Sequence, residues 1–354
     1  MGLKLLHSAD WHLDSPFSGF SEEQRAALKR QQRKLPEKIA DLCRREQCDL
    51  MLFSGDLFDG TPSRETVVRL KETLKHCGVP VFIAPGNHDF CGPGSPWLEE
   101  SWPENVHVFT GTLESVAIPE LDCRVYGAGF RSMDCSGLLE NFRAEGIERY
   151  CLAVLHGDPV QKHSPYNPIT AAQVRDSALD YLALGHIHKA GAFRAGNTLC
   201  AWPGCPMGRG WDETGEKGVC IVTLSDTAQI QTAALDMPAF YDIEVEADGD
   251  AAAALERVLP AGESRDFYRV TLTGWATVDT AALKRKFSAL PNLEFRDHTK
   301  PPVDLWEGIG EDTLEGIYFG MLRQAMEAQP EQARKIRLAA EISRKLLSGG
   351  EVDL

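Results

Sequence analysis

Five short clusters of metal-ligating side chains run along the first half of the chain: Asp10-Trp11-His12, Gly55-Asp56-Leu57-Phe58-Asp59, Gly86-Asn87-His88-Asp89, His156-Gly157 and Gly185-His186-Ile187-His188. Asp and Asn give hard oxygen donors, and neutral His gives a borderline nitrogen donor. Such a mixed set suits Mn, Fe, Zn or similar ions better than Ca or Mg alone. Cysteine is missing from every cluster, which argues against a closed structural zinc site. Two divalent ions about 3.5–4 Å apart can clamp a phosphate, activate a water and stabilise a leaving oxygen. Taken singly the clusters are weak signals. His12 or His156 alone reads as a packed or surface histidine, and Gly86-Asn87-His88-Asp89 alone reads as a turn. Their coincidence carries the dimetal reading.

Convergence depends on the elements that hold them. Each cluster sits at or just after the end of a short apolar run: Leu3–Ala9, Asp49–Ser54, Pro80–Ala84, Cys151–Leu155 and Tyr181–Leu184, with a further run at Arg124–Phe130. Runs this short and this apolar read as buried strands. Charged, helix-favouring stretches separate the first three, at Ser21–Glu46 and Arg64–Cys77, which predicts an α/β fold with parallel pairing. In such sheets ligand sites gather beyond the carboxyl ends of the strands. From about Asn197 the pattern turns β-rich, interrupted by the Gly/Pro loop at 203–210. A second unit begins near Met237-Pro238 with strands at Phe240–Val245, Phe267–Thr273 and Leu293–His298 and helices at Ala251–Val258 and Thr280–Leu290. Lys300-Pro301-Pro302 marks a linker, and the tail is helical over Asp312–Glu327 and Glu331–Leu347, ending at Gly349-Gly350.

The 354 residues suffice for two domains or one with an appendage. At 43% hydrophobic and 25% charged residues, a mostly disordered chain is excluded. No apolar run reaches the length of a membrane span. The N-terminus reads as a strand and not a signal peptide, and ten cysteines without a framework pattern are expected as reduced thiols in the cytoplasm. The net charge is −15, with 23 basic and 30 acidic residues up to position 235 and 14 and 22 beyond it. Neither part offers a broad electrostatic footprint for nucleic acid, so an anionic substrate must be drawn locally. Two divalent ions beside Asp10 and Asp56 would make the site locally positive. Basic candidates for wider contact are Arg25, Lys29, Arg30, Arg33 and Lys34, with Arg64, Arg131 and Arg209; the helical run itself reads foremost as a solvated face.

The series D-x-H, G-D-x-x-D, G-N-H-D, H and G-H-x-H, in that order, resembles the calcineurin-like metallophosphoesterases over residues 3–235. Asp10-Trp-His-Leu-Asp14-Ser-Pro-Phe17, Gly185-His-Ile-His188, Pro203-Gly, Gly208-Arg-Gly and Gly215-Glu-Lys-Gly218 resemble, within that superfamily, the SbcD-type DNA repair exonucleases. The resemblance implies a four-layer α/β/β/α sandwich over 1–236, a small α+β cap over 237–302 and a helical, partner-docking tail over 303–354. It implies that Asp10, His12 and His188 bind one metal, that Asn87, His156 and His186 bind a second, and that Asp56 bridges them. His88 would face the scissile phosphate and assist the leaving oxygen, oriented by Asp89, while Asp59 would support the Gly55-Asp56 turn. Arg131 and Arg209 are the candidate substrate contacts. Mn²⁺ is the expected ion, with Fe, Zn or Mg as alternatives. The implied function is DNA phosphodiester hydrolysis as the exonuclease subunit of an SbcCD-like repair complex. The implied partners are DNA, an SMC-like coiled-coil ATPase and a second copy of the chain through the first helices, with no membrane. A phosphatase or phosphodiesterase on a small or protein substrate, and a non-catalytic DNA-end-binding subunit that recruits the ATPase, are the alternatives.

Other residues read more blandly. His7, on the first strand, is expected to be structural, and His163 to lie in a loop. Cys200 and Cys205 have no second pair and do not suggest zinc. Trp202 and Trp211 flank the glycine loop and could stack on a base or pack locally.

Overall fold

The computed structural model describes residues 2–247, 250–300 and 304–347. The linker expected at 300–302 therefore lies outside the described residues beyond Lys300, as does Gly349-Gly350. The chain runs β1 (Leu3–Ser8), α1 (Glu22–Gln32), α2 (Leu35–Glu46), β2 (Leu50–Phe53), α3 (Arg64–Lys75), β3 (Val81–Ile83), α4 (Pro96–Glu99), β4 (Val106–Val108), β5 (Glu114–Ile118) and β6 (Cys123–Ala128). It continues β7 (Tyr150–His156), α5 (Ala171–Asp176), β8 (Tyr181–Gly185), β9 (Gly191–Ala195), β10 (Thr198–Trp202), β11 (Gly218–Leu224) and β12 (Ala228–Ala234). Then follow β13 (Phe240–Glu246), α6 (Ala251–Glu256), β14 (Phe267–Thr273), α7 (Thr280–Lys286), β15 (Leu293–Asp297), α8 (Leu314–Ala328) and α9 (Ala333–Leu347).

Two compact units result. One comprises Met1–Ile243, Gly262–Arg269 and Ala289–Glu294; the other comprises Glu244–Ala261, Val270–Ser288 and Phe295–Leu354. The first holds two six-stranded mixed sheets, ordered β12-β11-β1-β2-β3-β4 and β5-β6-β7-β8-β10-β9. Strands β1 to β4 are mutually parallel, as are β6, β7, β8 and β10; antiparallel strands close the rest.

Alternation along β1 explains the layering. Leu3 and Leu5 point between the sheets, where Leu50, Leu52, Phe82, Val125, Leu152, Val154 and Tyr181 meet them. Leu6 points the other way and packs with Met51 and Phe53 against Leu28, Leu35, Ile39, Val67 and Leu70 of the helices. The outer face of the second sheet buries Ala153, Leu155, Leu182 and Leu184 under Val174 of α5. The expected four-layer α/β/β/α sandwich is thus the observed one. His7 lies between the sheets, wholly buried, bonded to the Tyr181 hydroxyl at 2.7 Å and to Ser54 Oγ at 2.7 Å. Burial lowers its pKa to about 3, so it is a neutral structural histidine, as expected.

The helix-favouring stretch Ser21–Glu46 forms two helices, α1 and α2. Pro36 has no N–H to continue α1 and its ring would collide with the carbonyl four residues back, so α2 restarts with Pro36 in its first turn. Ser21 opens α1 with a capping box to Gln24. In the second unit α8 and α9 bury Phe319 and Ala340 with Leu305, while Leu314, Ile317 and Met321 stay exposed. Among the described residues, no helix is long and apolar enough to cross a membrane.

Candidate metal centre

The loops after β1, β2 and β3 leave one sheet, and those after β7 and β8 leave the other. Backbone bonds lace them. Asp10 N donates to Gly55 O at 3.0 Å, His12 N to Asp56 O at 2.9 Å, and Leu13 N to Leu57 O at 2.9 Å. His186 N donates to both Asp10 carboxylate oxygens at 3.0 and 3.1 Å, and His88 N to Asp56 Oδ1 at 2.9 Å. Left-handed backbone makes these turns: φ is +55° at Asp10, +46° at His12, +53° at Asp56 and +96° at His186. Such strain at non-glycine residues clusters at functional sites. Gly55 sits among them at φ +90°, where an added Cβ would lie 2.6 Å from His156 Nδ1 and 2.8 Å from Gly86 N.

Among the described residues, three overlapping sets of donors each converge within 4.8 Å: Asp10, His12 and His188; His12, Asp56 and His88; and Asp10, Asp56 and His156. Asn87 joins them through Oδ1, 2.9 Å from His156 Nε2. His186 lies alongside, its ring 5.3 Å from that of His156 and its Nε2 3.8 Å from Asp158 Oδ2. The structure therefore brings together six of the seven expected ligands and sets the His186 ring beside them.

Hydrogen bonds behind the rings aim their other nitrogens into the site. His156 Nδ1 donates to the Ser54 carbonyl at 2.8 Å, which aims its Nε2 at the Asn87 amide oxygen, 2.9 Å away. His188 Nδ1 meets Glu213 Oε1 at 2.6 Å, a bond that outweighs burial and raises the His188 pKa, and its Nε2 lies 3.1 Å from His12 Nε2. Burial keeps His12 neutral by lowering its pKa, and its Nδ1 has no hydrogen-bond partner, the Asp59 oxygen being 3.6 Å away. These nitrogens converge with the buried carboxylates of Asp10 and Asp56 and the Asn87 amide oxygen, a donor set that suits a divalent cation.

Two aspartates exchange their expected roles. Asp89 does not orient His88. Its carboxylate accepts from the backbone N–H groups of Asp56 (3.2 Å), Leu57 (2.8 Å), Phe58 (3.3 Å) and Gly86 (2.8 Å), and so supports the Gly55-Asp56 turn. Burial and the Asp56 charge push its pKa up to about 7, against those donors. Asp59 instead holds His88, with Oδ1 3.0 Å from Nδ1, and its other oxygen takes the Ser15 hydroxyl at 2.9 Å. The imidazoles of His12 and His88 hold Asp59 well below the usual carboxylate range, and the Asp59 bond raises the pKa of His88.

Glu213 was missed. It is buried, receives His188 Nδ1, and also takes Arg209 N at 2.7 Å and Arg209 Nη2 at 2.9 Å. Burial opposes its charge, but the bonds from His188 and Arg209 prevail and keep it well below the usual range. Only an acidic residue at the end of a glycine loop signalled it. Arg209 is thus clamped to Glu213, with Nη2 also 3.2 Å from His188 Nδ1. Arg131 is exposed and follows Phe130, whose ring packs edge-on to His156 at 5.3 Å. Buried Gln32 of α1, also missed, donates to the carbonyl of His12 at 2.8 Å and so fixes that turn. Partners of this kind behind a ligating histidine are worth about 10–100-fold in metal affinity. Glu213→Gln is expected to weaken metal binding by that factor, read by titrating metal into stripped protein; an unchanged affinity would remove Glu213 from the site.

Residues 3–190 match the calcineurin-like phosphoesterase family. The uncharacterized metallophosphoesterase YhaO of Bacillus subtilis is 34% identical over 246 residues, which span 63% of this chain and 58% of that relative. The SbcD subunit of the SbcCD nuclease of Staphylococcus epidermidis is 22% identical across an alignment of 367 positions, covering 91% of this chain and 94% of its own. The 3′,5′-cyclic adenosine monophosphate phosphodiesterase CpdA of Haemophilus influenzae is 27% identical over 226 residues, 60% of this chain and 76% of its own. The family match takes in all five donor-bearing loops, and the protein belongs to the calcineurin-like phosphoesterases, metal-dependent hydrolases of phosphate esters.

Proposed function

We propose that the protein hydrolyses phosphodiester bonds in DNA, as the exonuclease subunit of an SbcCD-like repair complex in the cytoplasm. The observation that carries the DNA reading is the nuclease relative matched along 91% of this chain, since the match runs through the second unit as well as the first. In this reading Asp10, His12 and His188 hold one divalent ion, Asn87, His156 and His186 hold the other, and Asp56 is shared. Bound there, the ions would neutralise the phosphate and supply an activated water, with Mn²⁺ the expected species. The chain's own residues do the rest. Asp59 fixes the His88 ring so that its Nε2 can hold a proton toward the departing 3′ oxygen. Asp89 keeps the Asp56 turn in place through three of its backbone donors and ties it to Gly86 of its own loop.

Residues 237–302 would form the cap and 303–354 the segment that docks an SMC-like ATPase. Exposed Leu314, Ile317 and Met321 follow one face of α8, as a partner-facing stripe would. The basic residues Arg25, Lys29, Arg30 and Lys34 are exposed around α1 and supply local positive surface, and a second copy of the chain is proposed to pair through the first helices. A small-substrate phosphodiesterase is the second reading, favoured by the CpdA relative and by the net charge of −15.

The deciding experiment incubates purified protein and Mn²⁺ with end-labelled single- and double-stranded DNA, with Asp56→Ala as control. Metal- and Asp56-dependent degradation is expected. No DNA cleavage beside robust hydrolysis of cyclic nucleotides would replace this reading with the second.

A further inference from the structure

A cavity of about 580 Å³ opens beside the candidate metal centre, within the first unit. It lies in the usual size range of small-ligand sites, about 300–1,000 Å³. Phe20, Gln24, Trp211, Arg269 and Asn292 line it, and so does Arg209, the residue whose Nη2 lies 3.2 Å from His188 Nδ1. One arginine side chain therefore separates the cavity from a candidate ligand.

Its walls are flat and fixed. The Arg269 guanidinium lies over the Trp211 ring, 4.0 Å from its centroid. Glu294 pairs with Arg269, and Asp242 stands 3.8 Å from it, which holds the guanidinium in that plane. Trp211 meets Phe240 edge-on at 5.3 Å, and Phe20 meets the same ring at 5.6 Å. Asn292 Nδ2 donates to Arg265 O at 3.2 Å, which orients the amide and leaves its carbonyl oxygen for an incoming donor. The charge of the lining excludes a second phosphate site. Arg209 and Arg269 are balanced by Asp212 and Glu294 within the lining, and Glu213 clamps Arg209 besides. A neutral, planar, hydrogen-bonding group suits these walls, whereas an anion gains nothing from them.

We propose that this cavity is a nucleobase subsite, which takes the base of a nucleotide adjoining the scissile phosphodiester against the Trp211–Arg269 stack. The inference rests on the phosphodiesterase reading above and adds what selects nucleoside-bearing substrates. It also separates the two tryptophans beside the glycine loop. Trp202 donates to Lys189 O at 2.9 Å and covers Gly191 of β9, so it serves the sheet. Trp211 serves the cavity.

The test compares intact single-stranded oligonucleotides with strands carrying one abasic residue, placed in turn on either side of the cleaved bond. Base stacking on an aromatic side chain contributes directly to binding, so an abasic residue at the occupied position should lower kcat/KM about tenfold in the wild type. Trp211→Ala should lower cleavage of the intact strand about as much and bring the intact-to-abasic ratio near one. Trp211→Phe should keep most of the ratio, and Trp202→Ala all of it. Trp211→Leu keeps volume without the aromatic face and replaces the alanine variant if that one melts early. Equal cleavage of intact and abasic strands by the wild type, or an unchanged ratio in the Trp211 variants, would overturn the subsite and leave the nuclease reading standing. Hydrolysis of methyl p-nitrophenyl phosphate with no cleavage of any oligonucleotide would overturn both.

Discussion

Asp56→Ala should lower phosphodiester hydrolysis by at least about 10³-fold, because one carboxylate serves both halves of the site. Asp56 belongs to two of the three donor sets. Its Oδ2 lies 3.5 Å from His156 Nε2 and 3.9 Å from His12 Nε2, and its Oδ1 takes the His88 N–H at 2.9 Å. Removal strips the shared donor and loosens the backbone that carries His88. The fold should survive. Alanine relieves the repulsion that Asp89 feels from Asp56 and removes the charge that the His156, His12 and His88 rings favour, two changes of opposite sign that offset in part. Melting curves with and without metal separate these effects. The wild type should gain stability on adding metal by mass action, and the variant should gain much less. An Asp56→Ala protein that kept a tenth of the activity, or the full metal-induced shift, would remove Asp56 from the centre of the site.

The alternating pattern of apolar runs and helical stretches was enough to read an α/β fold with parallel pairing, because buried parallel strands are apolar throughout; the four-layer sandwich followed from the family resemblance. What escaped was at the edges. β4, β5 and β9 are all edge strands; Val106–Val108 is only half-buried, Glu114–Ile118 exposes two of its five positions, and Gly191–Ala195 alternates with exposed positions. A strand paired on one side and open on the other needs no apolar run. The helical stretch before β2 was legible as helix, but the break at Pro36 was overlooked although its sequence signal was plain.

The site was legible in its donors and less so in what holds them. Donor types and order are sequence properties, whereas support depends on which loop crosses which. Asp59 and Asp89 lie four and three residues beyond Gly55 and Gly86, the glycines that open their turns, so spacing assigns each to its own loop. The structure crosses them. Asp89 ties down the β2 loop, and Asp59 holds the histidine of the β3 loop. Each loop thus fixes the other, which makes the His88 position depend on both. Glu213 comes from a third segment, beyond β10, and reaches His188 only because the glycine loop turns back. Such partners carry no spacing signal toward the ligands they support.

His88→Ala should cut DNA cleavage by about 10²–10⁴-fold while metal content stays at the wild-type level, the magnitude expected for loss of a positioned general acid. Half-exposed His88 lies edge-on to His12 at 4.7 Å, with its Nδ1 committed to Asp59 at 3.0 Å. That bond raises its pKa and keeps the ring protonated further into the neutral range than a free histidine. The same ring also appears in a donor set with His12 and Asp56, so a ligand role is the competing assignment. Two measurements decide between them. If His88 supplies a proton to the leaving oxygen, the loss should be large for a deoxyribose 3′ alkoxide. It should shrink to about tenfold or less for p-nitrophenolate, which departs without one. Asp59→Asn should reproduce that leaving-group pattern at smaller size, since the ring remains but its orientation and charge are no longer supported. If His88 binds metal instead, His88→Ala will lose metal on elemental analysis and fail equally on both substrates. That result would move His88 from the leaving group to the metal and leave the proton donor to be found elsewhere.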